Sequence, residues 1–212
     1  MGLQIYRNFL MLSLLLSSLV YSIEGFSQDN AEILVNLKTQ SSLRPVYLSW
    51  GFTKNTGIKE KDLEALKSAL EFDLSHSGYV QFFKHSKELD QVVDSEGFEV
   101  VSDPDVWRKK GIEVVLKARI IDKQLSIKAF NVSKKRYKTI RKVFLSGEAS
   151  SDRRKIHQVS DALLNSLFGA EGIASGHILY TVSKERATSP WSSEVWECDY
   201  DGYNAHQVTH EG

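Results

Sequence analysis

Apolar side chains recur in two segments of the chain with the spacing of an amphipathic helix. In residues 59–77 they fall at Leu63, Leu66, Leu70 and Leu74, three and four positions apart. The second series follows a candidate N-cap at Ser150 or Ser151 and ends before Gly169. Its apolar positions are Ile156, Val159, Leu163, Leu164 and Leu167. Each pattern predicts one helix that covers one side of a sheet.

Strand signals surround these helices. Short apolar or alternating runs predict strands at residues 33–37, 45–50, 79–83, 112–121, 125–132 and 139–146. The last three alternate well enough for antiparallel pairing with one buried face. Residues 86–107 show no clear period, so we expect a connecting region with at most one short helical turn, and we expect Trp107 to be packed. The predicted fold class is α/β, a mixed sheet with two amphipathic helices.

The last forty residues predict a separate antiparallel unit. Apolar runs at residues 178–182 and around Val195 and Trp196 are followed by Asp201-Gly202, a pair favoured in two-residue type I′ turns, and by residues 205–208. A hairpin of this size has no packed face of its own, so we expect it to gain little from folding alone. The unit resembles an incomplete first blade of a β-propeller, so we expect the chain to be the front part of a longer protein.

The first residues indicate an export signal. Arg7 precedes an apolar run at residues 9–21, which is too short to span a membrane as a helix. Small residues at Val20/Ser22 or Gly25/Ser27 offer cleavage pairs, and the second pair is favoured because a polar stretch begins at Gln28. We expect an exported protein that begins near Gln28 after cleavage and is not inserted in a membrane.

Composition excludes several classes of function. Lys plus Arg and Asp plus Glu number 27 each, so nothing in the overall charge favours nucleic acid or a membrane surface. Cys198 is the only cysteine, which excludes an intramolecular disulfide.

Candidate catalytic and metal-binding patterns are also incomplete. The segment from Gly172 to Gly176 lacks the spacing of a hydrolase nucleophile elbow. His157 and Asp161 share a helix face, but no further ligands at zinc-site spacing accompany them. The Asp199-x-Asp201-Gly202 pattern is a turn rather than a calcium loop. We expect no enzyme activity, no metal and no cofactor.

Two stretches together resemble the TolB family. The first is the helix pattern Arg154-x-x-His157-x-x-x-Asp161, followed by Leu167-Phe168-Gly169 and a strand that contains Tyr180. The second is the closing phrase Asp199-x-Asp201-Gly202-x-Asn204. They are similar to the family's junction between its N-terminal domain and its propeller, and to one propeller blade. The resemblance implies a signal peptide at residues 1–27, an N-terminal α/β domain at 28–170 and the start of a β-propeller at 171–212.

The resemblance also implies a function by contact. Proteins of this family are periplasmic adaptors of the Tol-Pal cell-envelope system, with roles in envelope integrity, cell division and protein import. The mature N-terminus binds TolA and the propeller binds Pal, so a TolA-like partner is expected here, and a Pal-like lipoprotein only with a complete propeller. By position, the partner-binding residues are Ala31, Glu32, Ile33, Leu34 and Val35. Equally, Ile33 and Val35 can be part of a core strand. The alternative function is the N-terminal module of a propeller-containing periplasmic peptidase that lacks its catalytic domain.

Overall fold

The computed structural model describes residues 43–186 and 189–210. All of them belong to one compact unit, Gln40–Gly212. The elements in chain order are β1 (Arg44–Ser49), α1 (Glu60–Ser75), β2 (Val80–Phe82), α2 (Lys87–Glu96), α3 (Pro104–Lys109), β3 (Val114–Ile121), β4 (Gln124–Asn131), β5 (Arg136–Phe144), α4 (Ala149–Phe168), β6 (His177–Arg186), β7 (Ser189–Asp199) and β8 (His206–Gln207).

The first five strands form a mixed sheet in the order β2-β1-β3-β4-β5. Strand β1 pairs in parallel with β2 and β3, whereas β3, β4 and β5 form an antiparallel meander. This confirms the predicted α/β fold with a mixed sheet, and each predicted strand from residue 45 onward has a counterpart. The strand predicted at residues 33–37 lies outside the described residues.

Helices α1 and α4 cover one face of this sheet. Leu66, Leu70 and Ile156 are at most 1% exposed and pack on Val114 and Leu116 of the central strand β3. Full burial of one such side chain stabilises the fold by about 1.5–3 kcal/mol. The two long helices predicted from their apolar spacing are therefore confirmed, with starts at Glu60 and Ala149. The N-cap predicted at Ser150 or Ser151 is wrong, because both residues are inside α4 and the capping position is Glu148.

Helices α2 and α3 cover the opposite face, where the sequence predicted only a connecting region. The Ser86 hydroxyl caps α2 by accepting a hydrogen bond from Leu89 N at 3.2 Å. The Asp103 carboxylate caps α3, and Pro104 occupies its first turn. Trp107 of α3 is fully buried against Tyr47, which confirms its expected packing role.

The C-terminal strands form a second, antiparallel sheet in the order β6-β7-β8. The expected two-residue turn is wrong, because six residues separate the end of β7 at Asp199 from the start of β8 at His206. This loop returns through Gly202 and Asn204, which have positive φ angles of 82° and 56°. The longer loop places Asp201 against the α/β layer.

Candidate functional site

A group of buried polar side chains joins helix α4 to the C-terminal sheet. Arg153, His157 and Asp161 succeed one another at four-residue intervals and so follow one side of the helix. Arg153 and His157 are 5% and 2% exposed, although the sequence around them is polar. Charged groups at such depth need partners, and each has one in a different element.

His157 connects α4 to α1. Its Nδ1 lies 2.7 Å from Oδ2 of Asp73, and the Ser160 hydroxyl donates to the same oxygen at 2.8 Å. Burial alone would lower the pKa of His157, but the hydrogen bond and charge of Asp73, with the charges of Asp201 and Asp199, raise it above its ordinary value. Its Nε2 lies 3.6 Å from Oδ2 of Asp201. A protonated His157 thus lies between carboxylates of two elements.

Arg153 connects α4 to the loop between β7 and β8. Its Nε donates to Oδ2 of Asp201 at 2.6 Å, and its Nη2 lies 2.5 Å from the same oxygen. The Arg153 and Asp201 side chains are 6% and 2% exposed. The ring of Tyr203 lies 3.5 Å from the guanidinium carbon, so the cation is held between a carboxylate and an aromatic face.

Asp161 holds the segment that leads from α4 into β6. Its carboxylate accepts hydrogen bonds from Ala174 N at 2.8 Å, Ser175 N at 2.9 Å and the Ser175 hydroxyl at 2.5 Å. The segment runs so close to α4 that a Cβ added at Gly172 would lie 2.2 Å from Oδ1 of Asp161. The Asp161 carboxylate is therefore occupied by hydrogen bonds from the segment before β6 and does not act together with His157.

The loop also makes contacts away from the ion pairs. The Tyr200 hydroxyl donates to the backbone oxygen of His76 at 3.2 Å, and its ring meets Phe72 edge-on. In contrast, Ile178, Leu179 and Tyr180 of β6 are 36–66% exposed. The C-terminal unit was expected to gain little from folding alone, and its loop does make contacts with the α/β layer, while these three side chains of β6 remain exposed.

The geometry favours an ion-pair network over a metal centre. In the part of the chain that the structure describes, one group of His and acidic side chains is close enough for a metal, with ligand atoms of His157, Asp199 and Asp201 within 4.8 Å of one another. Both carboxylates already have partners, since Arg153 holds Asp201 and the Asn204 amide donates to Asp199. The arrangement can fix one sheet relative to the helices.

The sequence located part of this site. Of the residues quoted for the helix pattern, His157 and Asp161 are at the junction, whereas Arg154 is exposed and its neighbour Arg153 makes the ion pair. The sequence pattern indicated neither Asp73 nor the pairing role of Asp201. The predicted partner-binding residues Ala31, Glu32, Ile33, Leu34 and Val35 lie outside the described residues.

Fold and junction together define a class of protein, namely a mixed α/β domain whose last helix is tied by buried ion pairs to an antiparallel sheet. None of the helices described is both long and apolar enough to cross a membrane. No protein-family model matches the chain.

Comparison with known proteins identifies the family. A TolB homolog of Protochlamydia amoebophila is 37% identical over 187 residues, which are 87% of this chain and 40% of that relative. A TolB homolog of Chlamydia caviae is 23% identical over 91% of this chain, again 40% of the relative. The crystal structure of TolB from Acinetobacter baumannii has the same fold, with a TM-score of 0.52 at 22% identity over 79% of this chain and 38% of that one. The chain belongs to the TolB family and spans about 40% of the length of these curated relatives.

Proposed function

We propose that the chain acts as a non-enzymatic adaptor of the Tol-Pal cell-envelope system in the periplasm. The observation that carries this proposal is the 37% identity to a TolB homolog over 87% of the chain. The junction supports a role by contact, because Arg153, His157 and Asp161 are all engaged by other parts of the protein. We further propose the division into a signal peptide at 1–27, an α/β domain at 28–170 and a propeller start at 171–212.

The proposed partner is a TolA-like inner-membrane protein, bound by the mature N-terminus at Ala31–Val35. An extended segment there can add to the sheet edge of a partner, with main-chain hydrogen bonds giving affinity and alternate side chains giving specificity. Binding of a Pal-like lipoprotein is proposed only for a complete propeller, because the chain matches about 40% of the length of its relatives.

Deletion of residues 28–35 tests the partner site. The deleted protein should lose capture by the periplasmic domain of a TolA-like protein and keep its thermal unfolding midpoint. A matched pair of variants uses strand alternation, since in an extended segment Ile33 and Val35 would share one side and Leu34 would have the other. Ile33→Ser with Val35→Ser and, separately, Leu34→Ser should therefore differ in capture. Undiminished capture after the deletion would place the interface elsewhere.

Location in the cell is tested separately. The mature protein should begin near Gln28 in the soluble envelope fraction, as measured by mass spectrometry of its N-terminal peptide. An intact Met1 end retained in the membrane would contradict export as a cleaved periplasmic protein.

A further inference from the structure

Strand β5, one of the two edges of the mixed sheet, is long and strongly basic. Within the described part of the chain, β5 pairs only with β4, and β2 is the other edge. Strand β5 carries four cations and no acid, at Arg136, Lys138, Arg141 and Lys142. All four are exposed. An unpaired strand edge offers backbone donors and acceptors to another extended segment.

A groove beside this edge continues the basic surface across the sheet. Its volume is about 470 Å³, and its charged lining residues are the cations Arg119, Arg141 and Lys142 and the acids Glu99 and Asp122. Arg119 is on β3, where its guanidinium carbon lies 3.8 Å from the ring centre of Phe98. This contact holds the guanidinium in place before any ligand arrives.

Glu99 shows what kind of group the groove accepts. Its carboxylate lies 2.7 Å from Lys128 Nζ and 3.8 Å from Arg119 Nη2, although the side chain is 63% exposed. The hydrogen bond from Lys128 first, and then the charges of Lys128, Arg119 and Arg141, hold the pKa of Glu99 below its ordinary value. The Glu99 carboxylate thus lies among three cations, Lys128, Arg119 and Arg141, which can also bind an incoming carboxylate.

Edge lysines are also a common protection against unwanted strand pairing, and that function needs charges on the edge alone. Here the cations reach three strands deep, because Arg119 is on β3 and Lys128 is on β4. The positive φ of 57° at Lys142 and the register shift near it limit regular pairing to the first part of β5. About six residues, 136–141, remain open to addition.

We propose that β5 and the groove beside it bind an extended acidic segment of a partner protein, which adds to residues 136–141 as a strand and places its carboxylates among Arg119, Lys128 and Arg141. This surface is distinct from the proposed N-terminal partner segment. Main-chain hydrogen bonds supply affinity, and the cations select an acidic sequence.

The test uses the full mature chain and a fluorescein-labelled seven-residue peptide of alternating Glu and Val, with binding followed by fluorescence anisotropy at physiological salt. A Lys-Val peptide should not bind.

Arg119→Gln combined with Arg141→Gln should weaken binding about tenfold. The matched control replaces two exposed cations elsewhere, Lys109→Gln with Arg154→Gln, and should leave binding unchanged. If the double variant fails to fold, the exposed Arg141→Gln alone replaces it.

Two further measurements separate this proposal from non-specific attraction of a polyanion. Glu99→Gln should tighten binding about threefold, because it removes the carboxylate that competes for the cations; the control Glu64→Gln, with the same charge change, should not. N-methylation of alternate peptide residues in two complementary patterns should abolish binding in one pattern and spare it in the other. Equal binding of both methylated peptides, or equal losses in the control variant, would overturn the proposal.

Discussion

Residue 172 must be glycine because the atoms around it leave no room for a side chain. An added Cβ would lie 2.2 Å from Oδ1 and 2.6 Å from Cα of Asp161, and the second atom belongs to the backbone of α4 and cannot move aside. We expect Gly172→Ala to destabilise the protein by about 1–3 kcal/mol through this overlap. The free energy of unfolding from urea denaturation measures the effect.

Gly51→Ala is the matched control for this substitution. The nearest atoms to a Cβ at Gly51 are side-chain oxygens of Asp94 and Ser49 at 3.3 Å, which can move by a few tenths of an ångström. We expect a much smaller change there. Equal stability of Gly172→Ala and the parent would show that the segment before β6 does not run as close to α4 as the structure has it.

At the scale of elements, the sequence predicted the helices whose apolar residues repeat at helical spacing, and it did not predict the helices that lack such a repeat. Helices α1 and α4 present four or five apolar residues at helical spacing, so their pattern stands out. In α2 only Leu89 and Val93 are buried, which is a single step of four residues and too little to define a period. Its cap at Ser86 and the Asp103-Pro104 start of α3 were the signals that could have revealed these helices.

The junction was only partly predictable for a similar reason. Asp73 falls three residues after Leu70 and one before Leu74, so a charged residue on the apolar face of α1 was the visible sign of a buried polar contact. Arg153 and Arg154 precede His157 by four and three residues, and both spacings place an arginine on the same helix face as His157, so the spacing does not choose between them. Asp201 reaches the ion pair because of the path of a six-residue loop. No local sequence pattern specifies that path.

The ion pair of Arg153 and Asp201 should attach the C-terminal sheet to α4. Replacing Arg153 by Met leaves the Asp201 carboxylate, which is 2% exposed, with only His157 Nε2 at 3.6 Å as a cationic neighbour. Removing one partner of a buried pair costs about 3–5 kcal/mol. We expect the variant to lose stability toward the lower end of this range. Relative to the parent protein, its hydrogen exchange should accelerate more in β7 than in α1, as measured by mass spectrometry.

The adjacent Arg154→Met is the control, because this exposed side chain should change stability by no more than about 0.5 kcal/mol. The same attachment predicts the effect of truncation after Gly172. Because that truncation removes Asp201, the unfolding midpoint should fall. A midpoint that stays unchanged would show that the contacts of the loop add nothing to the α/β domain.

At the scale of the whole molecule, His157 is the point where three parts of the described fold meet. It lies on α4, hydrogen-bonds Asp73 of α1 and faces Asp201 and Asp199 of the C-terminal sheet, with Arg153 as the neighbouring cation. Its raised pKa means that the folded protein binds the proton more tightly than the unfolded chain, whose histidines titrate near 6.5. The stabilisation is therefore fully present below about pH 6.5 and is lost as the pH rises through the higher folded pKa.

We therefore expect the parent protein to lose stability between neutral and alkaline pH by an amount that His157→Gln does not show. The difference in unfolding free energy between the two proteins should be largest below about pH 6.5 and should shrink as the pH rises. Urea denaturation at several pH values measures the profile, and NMR titration of the His157 ring gives its pKa directly. His206→Gln, which removes an exposed histidine of β8, should keep the parent profile. If His157 titrates at or below 6.5, or if the two profiles run parallel, folding does not favour the protonated imidazole, and the junction is held by Arg153 and Asp201 without its charge.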